Sequence, residues 1–188
     1  MKNLYKVLKY LLHRIMLLIE STPSQDYPTI NRQLHTNNMN IDLCKWEIKR
    51  HEGEVLEIYN DSLGYKTLGV GHLCQPQDEE YDWEIGTPVS QKVVDRYYMI
   101  DFDRHYAEAI HVFGSQEDFN NLPEDIQRVL VNMCFNLGGT RLSKFRNMLQ
   151  ACRQHDWQEM ARQMQDSRWF KQVGRRSLEL QQLVLNLV

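Results

Sequence analysis

The chain has 188 residues, 42% of them hydrophobic and 25% charged, which suits one globular domain or two small lobes that share a core. The net charge of −3 at pH 7 divides into +3 over residues 1–40 and −6 over the remainder, and such an acidic body argues against nucleic acid as the main partner. Four cysteines at wide spacings, without a CxxC pair, indicate free buried thiols rather than a metal site or a disulfide framework: Cys44, Cys74, Cys134 and Cys152.

Residues 1–20 predict a basic amphipathic helix. Lys2, Lys6, Lys9 and His13 fall on one helical face, and leucines line another. Such a helix could dock on the body or rest weakly on a membrane surface. A signal peptide fits less well because charged side chains interrupt the apolar stretch, and the longest apolar run is far too short to span a bilayer. Secretion would follow only if the segment acts as a signal.

The next stretch, residues 21–39, is rich in Asn, Thr and Gln and predicts a linker. We therefore expect two parts, an N-terminal helix and linker over 1–39 and a folded domain over 40–188. Met39 is an alternative start, which would make the preceding residues an upstream extension.

The beginning of the folded part predicts a helix followed by a β-hairpin. Asp42 can cap a helix that ends near Glu52, because Gly53 follows as a natural terminator. Two runs typical of strands, residues 56–59 and 65–70, flank a turn-rich stretch and therefore predict a hairpin.

The rest of the chain predicts helices. Ser90 caps a long helix with an apolar stripe, and Pro123 opens another helix that Gly138 stops. Later helices are expected near Ser143–His155, Asp156–Gln165 and Ser177–Leu187. The predicted fold class is α+β, with a small β-hairpin or sheet lobe and a larger helical lobe joined by the long helix.

A pair of carboxyl groups stands at the helix end and in the hairpin turn. Hydrolysis of a glycosidic bond usually needs two such groups across a cleft, one to protonate the leaving oxygen and one to activate water or attack the sugar. Glu52 and Asp61 can face each other if the chain folds back at Gly53, and Thr67 on the returning strand adds a hydroxyl. Among 25 acidic residues this spacing alone is weak support, because most carboxylates are solvated surface groups.

The sequence around this pair adds specific motifs. Eight residues separate Glu52 from Asp61, five separate Asp61 from Thr67, and a Gly-x-Gly-His run follows over residues 69–72. Every one of these spacings is kept in the catalytic segment of phage-type lysozymes, which this chain closely resembles, in particular those of T-even phages. The resemblance covers about residues 40–188 and continues through Asn132–Gly138, Phe145, Trp157 and Ser167–Trp169.

The resemblance implies a peptidoglycan hydrolase that cleaves the β-1,4 bond between N-acetylmuramic acid and N-acetylglucosamine with inversion, without a cofactor. Glu52 would be the general acid, which must keep its proton near neutral pH. Asp61 would stay ionised and deprotonate a water that Thr67 helps to position. Inversion predicts a separation of roughly 6.5–9.5 Å between the two carboxyl groups.

Supporting residues are also implied by the resemblance. Arg176 matches an arginine that approaches the catalytic glutamate from the helical lobe, with the neighbouring Arg175 as an alternative and a solvated basic pair as the competing interpretation. His72 is expected to form a structural ion pair with Asp101 rather than a catalytic or metal site. Its pKa would then be raised on folding.

Four positions match residues that line the substrate cleft of the family: Leu73, Phe135, Asn136 and Phe145. The family more often has a glutamine at position 136, and each aromatic could equally be part of the core. Trp157 and Trp169 are assigned to packing.

Three departures from the family bear on function. His51 replaces an acidic residue, the chain ends before an expected C-terminal helix, and the body is acidic. Because the bacterial wall carries many carboxylates, we expect activity that is weak at low salt and improves as salt is added.

Two other functions remain as alternatives. A non-catalytic module that binds the wall or an inhibitor could use the same scaffold, and a lytic transglycosylase would need the acid but neither Asp61 nor Thr67.

The expected partner is peptidoglycan, and the protein is expected to act on it as a monomer. A phage-derived protein would be made in the host cytoplasm and would act on the cell wall.

Overall fold

A computed structural model of the protein describes residues 39–188. The helix predicted over 1–20 and nearly all of the predicted linker lie outside the described residues. Within them, nine helices and three strands follow in this order: α1 (Ile41–Glu52), β1 (Val55–Asn60), β2 (Lys66–Gly69), β3 (His72–Leu73), α2 (Gln91–Phe113), α3 (Gln116–Asn120), α4 (Glu124–Leu137), α5 (Gly139–Leu142), α6 (Arg146–Arg153), α7 (Trp157–Gln165), α8 (Arg168–Val173) and α9 (Arg175–Leu185).

The first helix ends where the sequence predicts, but its cap is a different residue. Asn40, in an extended conformation, accepts a hydrogen bond from the backbone N–H of Leu43, so Asn40 and not Asp42 is the N-cap. Asp42 lies in the first turn, where its charge favours the helix N-terminus. Glu52 is the last helical residue, because Gly53 turns the chain with a φ of 78°.

The three strands form an antiparallel sheet in the order β1-β2-β3. Tyr59 of β1 lies opposite Thr67 of β2, and Thr67 lies opposite Leu73 of β3. The predicted hairpin is confirmed, and β3 is an additional short strand that the sequence pattern did not indicate. Thr67 therefore sits on the central strand, where neighbours on both sides fix its backbone.

The helical part agrees with the prediction in its main boundaries. Ser90 caps α2, and Gly138 ends α4. Pro123 occupies the N-cap of α4 rather than its first helical position. The helix expected near 143–155 is the shorter α6, preceded by the single turn of α5. The short helices α3 and α8 lie in the region predicted to be helical but were not predicted as separate helices.

The long helix α2 joins the two lobes through a continuous core. Phe102 and Tyr106 on α2 are completely buried. A Cβ added to Gly69 of the sheet would lie 2.9 Å from Cγ1 of Val94, so glycine permits the sheet to approach the helix this closely. The α+β, lysozyme-like class expected from the sequence is confirmed. No helix among residues 39–188 is both long and apolar enough to cross a membrane.

Candidate functional site

Glu52 opens onto a pocket between the sheet and the helices. The pocket is lined by residues from the end of α1, the β2–β3 turn, α2 and α4: Glu52, Val70, Gly71, Asp101, Arg104, His105, Phe135 and Asn136. The side chain of Glu52 is 22% exposed. A carboxyl group placed in this way can exchange a proton with a ligand in the pocket.

A buried arginine holds the other side of this carboxyl group. Nη1 of Arg176 donates to Oε1 of Glu52 at 2.5 Å. Nε and Nη2 donate to the side-chain and backbone oxygens of Asn132 at 2.8 and 2.9 Å. Arg175 is 88% exposed and pairs with Glu179 instead. The choice between the two arginines therefore falls on Arg176.

His51 belongs to the same cluster, which sequence reasoning missed. Its Nδ1 lies 3.2 Å from Nδ2 of Asn132, and its Nε2 lies 3.0 Å from Oε2 of Glu179. Hydrogen bonds from Arg50 and then His51 lower the pKa of Glu179 to about 2. The only signal in the sequence was that His51 stands where the resembled family has an acidic residue.

Asp61 is oriented by the backbone of its own turn. Its Oδ1 accepts hydrogen bonds from the N–H groups of Leu63 and Tyr65 at 2.9 and 2.8 Å. Gly64 completes the turn with a φ of 85°. Within the described chain these bonds occupy one carboxylate oxygen and leave Oδ2 for another donor, such as water.

Thr67 is buried next to this turn. Its hydroxyl donates to the backbone oxygen of Tyr65 at 2.9 Å, and the residue is 3% exposed. The same oxygen accepts the N–H of Asp61 at 2.9 Å. Because the hydroxyl proton is used, the lone pairs of Thr67 remain to accept a hydrogen bond.

The ion pair predicted for His72 is confirmed. Nδ1 lies 2.8 Å from Oδ2 of Asp101, and Nε2 lies 3.0 Å from Oδ2 of Asp78, a partner that the sequence did not reveal. The imidazole also stacks on Tyr97. Burial alone would lower the pKa of His72, but the bonds and charges of Asp101 and Asp78 outweigh it, so the pKa is raised.

The four expected substrate positions divide into two groups. Phe135 and Asn136 line the Glu52 pocket. Leu73, at the edge of β3, is 45% exposed and is not among the lining residues of that pocket. Phe145 lines a separate depression and packs edge-on against Trp169, so the structure does not bring it to the Glu52 pocket.

The amide of Asn136 has a defined orientation. Its Oδ1 accepts the indole N–H of Trp169 at 2.9 Å, which leaves its NH2 group as the donor. Trp169 is 4% exposed, in agreement with its assignment to packing, and Trp157 packs against the core as well. The hydrogen bond from Trp169 was not predicted.

One cluster near the pocket has the residue types of a metal site. His105, Glu108 and Cys134 offer ligand atoms within 4.8 Å of one another. Oε2 of Glu108 already accepts the N–H of Gly139 at 2.9 Å and lies 3.0 Å from Nδ1 of His105. Burial raises the pKa of the Cys134 thiol to about 12. Protein donors thus account for the cluster, and a cation would have to displace them.

The fold and the site together define a two-lobed, lysozyme-like protein with an acidic group in the pocket between its lobes. The family model for phage lysozyme matches residues 49–184. The chain belongs to the phage lysozyme family, as its sequence motifs indicate.

Curated relatives agree with this assignment. The chain is 28% identical over 153 residues to Probable T4-type lysozyme 2 of Dictyostelium discoideum, which covers 73% of this chain and 90% of the relative. Probable T4-type lysozyme 1 of the same organism is 25% identical over a match with the same coverage. The Pre-baseplate central spike protein Gp5 of Enterobacteria phage T4 is 26% identical over 183 residues, and the match spans 30% of that protein.

Proposed function

We propose that the protein hydrolyses peptidoglycan at the β-1,4 bond between N-acetylmuramic acid and N-acetylglucosamine, with Glu52 as the general acid. The observation that carries the proposal is the placement of Glu52, which lines the pocket while Arg176 holds its Oε1. Membership of the phage lysozyme family and the motif spacings support it.

On one face of the sugar the proton of Glu52 passes to the glycosidic oxygen as the bond to the anomeric carbon breaks. The Arg176 guanidinium donates a hydrogen bond to Oε1 of this carboxyl group. After proton transfer the same guanidinium stabilises the carboxylate that has formed.

On the opposite face, in the same displacement, a water attacks the anomeric carbon and gives its proton to Asp61. The turn N–H groups fix Oδ1 of Asp61, so Oδ2 is the acceptor for that proton. A water that donates to Oδ2 can donate its other hydrogen to Thr67, whose own proton is bonded to Tyr65. Attack from the face opposite the leaving group inverts the anomeric centre.

Substrate contacts in the pocket would come from Phe135 and Asn136. The free NH2 group of Asn136 can donate to a carbonyl or hydroxyl of the sugar, and the Phe135 ring offers an apolar face. Leu73 could extend this surface along the sheet edge, whereas Phe145 would contact only a longer glycan strand.

The test is clearance of purified peptidoglycan by the wild-type protein and by Glu52→Gln. We expect the substitution to reduce the rate by about 10³-fold, because the amide cannot donate the proton to the leaving oxygen. Glu57→Gln is the matched control, since Glu57 is an exposed residue of β1, five positions further along the chain, and should retain full activity. Equal clearance by wild type and Glu52→Gln would contradict the proposal.

Product analysis separates hydrolysis from the two alternatives. Hydrolysis leaves a reducing N-acetylmuramic acid end, whereas a transglycosylase leaves an internal anhydro ring that lacks the added water. A wall-binding module would sediment with peptidoglycan and release no products. Thr67→Ser should retain hydrolysis and Thr67→Val should lose most of it, because only serine can still accept a hydrogen bond from water.

A further inference from the structure

A chain of hydrogen bonds runs behind the proposed acid, from Glu52 through Arg176 and Asn132 to His51 and Glu179. We infer that His51 is a positioning residue for this acid, acting through Asn132 to hold the Arg176 guanidinium against Glu52. The inference rests on the proposed function, because it assigns His51 a part in the same reaction. His51 does not line the Glu52 pocket, so it would act only through this chain of hydrogen bonds, which we call the relay.

Arg176 determines the orientation of the Asn132 amide. A guanidinium can only donate hydrogen bonds, and Nε of Arg176 lies 2.8 Å from Oδ1 of Asn132. The amide oxygen must therefore face Arg176, which turns the NH2 group towards His51. No amide flip is compatible with this arrangement, because a flip would place two donors against each other.

The orientation of Asn132 in turn fixes the proton on His51. The NH2 group of Asn132 donates to Nδ1 of His51 at 3.2 Å, so Nδ1 must be the unprotonated nitrogen. The imidazole proton is therefore on Nε2, where it donates to Oε2 of Glu179 at 3.0 Å. The relay requires the neutral Nε2–H tautomer, since a second proton on Nδ1 would face the donor of Asn132.

Charged groups on α1 and on α9, its own helix, compensate Glu179. On α1, Arg50 forms an ion pair with Glu179 through Nη2. The same nitrogen lies 3.1 Å from Nε2 of His51, but Nε2 carries the imidazole proton, so Nη2 donates to Glu179 and not to His51. On α9, Arg175 donates to Glu179 at 2.8 Å. Glu179 is therefore an ionised acceptor for His51.

The side chains of Asn132 and His51 are buried, so water cannot readily replace the hydrogen bond between them. Asn132 is 0% exposed, and the side chain of His51 is 7% exposed. If His51 no longer accepts, the NH2 group of Asn132 has to turn or admit a water to find a partner. Either adjustment removes the fixed acceptor of Arg176, and its contact with Glu52 becomes less well defined.

Two amide substitutions at position 51 separate this role from general packing. In His51→Asn the amide oxygen can take the place of Nδ1 and accept from Asn132. In His51→Gln the longer amide reaches the position of Nε2 and can donate to Glu179, but it provides no acceptor for Asn132. Both variants remove the imidazole, so a merely structural role would affect them alike.

Steady-state kinetics on soluble peptidoglycan fragments is the first measurement. We expect His51→Gln to lose roughly 10-fold in kcat with little change in KM, because small misplacements of reacting groups are costly. His51→Asn should stay within about two-fold of wild type. Equal kcat values for the two variants would overturn the inference.

Nitrogen-15 NMR gives a second measurement that does not depend on activity. The wild-type His51 ring should show its proton on Nε2, and the Arg176 Nε–H signal should be protected from exchange in wild type and His51→Asn but not in His51→Gln. A proton on Nδ1, or equal protection in all three proteins, would contradict the relay. If the wild type cleaves nothing while these signals behave as expected, the proposed function fails and the relay stands as a structural feature.

Discussion

The two carboxyl groups that we propose for catalysis are held in different ways by the two lobes. Asp61, in the sheet lobe, is oriented by N–H groups two and four residues further along the chain. Glu52 is oriented by Arg176, which is 124 positions away and is itself fixed by Asn132 on a third helix. One carboxyl group therefore depends on a local turn, and the other depends on the packing of three helices. Substitutions in the two lobes should therefore differ in how far they reduce activity and how far they reduce stability.

The largest effect is expected at Asp61. Asp61→Asn keeps an oxygen for the two turn N–H groups but cannot take a proton from water, so kcat should fall by about 10³-fold. Its free energy of unfolding should stay within about 0.5 kcal/mol of wild type. Asp61→Ala should lose the same activity and in addition about 1 kcal/mol of stability, because the turn loses its side-chain acceptor. Urea unfolding followed by circular dichroism measures the difference, and equal stability of the two variants would show that the turn does not depend on Asp61.

The second prediction concerns the helical lobe. Arg176→Met should lower the free energy of unfolding by about 3 kcal/mol, because it leaves the Asn132 oxygens and the Glu52 carboxylate without their buried partner. Arg175→Met is the matched control one residue away, and its 88% exposed side chain should contribute less than about 0.5 kcal/mol. If the two variants unfold at the same urea concentration, the buried network does not stabilise this lobe.

The third prediction concerns the joint between the lobes, where His72 of β3 meets Asp101 of α2. The folded pKa of His72 is raised, so its stabilisation is fully present below the unfolded value of about 6.5 and is lost as pH rises through the folded pKa. At pH 5 we expect the free energy of unfolding of His72→Gln to be about 2 kcal/mol lower than that of wild type. This difference should become smaller as the pH rises. His111→Gln, at an exposed histidine on α2, is the control and should change the stability by less than about 0.5 kcal/mol. A stability difference between wild type and His72→Gln that stays constant from pH 5 to pH 9 would contradict the ion-pair explanation.

The same division between local and distant contacts explains what the sequence could predict. Gly53 as the end of α1, the hairpin around Asp61 and Ser90 as a cap depend on neighbouring residues, and all three are confirmed. The pairing of His72 with Asp101 and the contact of Arg176 with Glu52 came from family resemblance, not from spacing, and both are confirmed.

The contacts that were missed join residues far apart in sequence. No periodicity or turn signal relates His51 to Glu179, which are separated by 128 positions, or Asn132 to Arg176. Asp78 was missed for a different reason, because it lies in a loop whose path is set by tertiary packing. The short helix α8 was missed because six residues are too few to show an amphipathic pattern.

Charge also differs between the two regions. Residues 53–89, which include the whole sheet, carry one basic and eight acidic side chains, a net charge of −7. Residues 90–188 carry 13 basic and 12 acidic side chains, a net charge of +1. The acidity of the body is therefore a property of the lobe that contributes Asp61 and Thr67, not of the helices. An anionic wall would be repelled from the side that supplies the proposed base.

The smallest expected effect tests that asymmetry. Lysis of an anionic wall should rise as salt is added at low ionic strength, since the Debye length shortens towards about 8–10 Å and screens the repulsion. Glu79→Lys, an exposed site in the acidic loop, should raise low-salt activity by about two-fold and weaken the salt dependence. Glu117→Lys makes the same charge change on an exposed site of α3 and should have a smaller effect, because it lies outside the acidic segment. A steep fall in lysis on adding salt would contradict the prediction. Equal effects of the two substitutions would show that net charge matters, and not its placement on the sheet lobe.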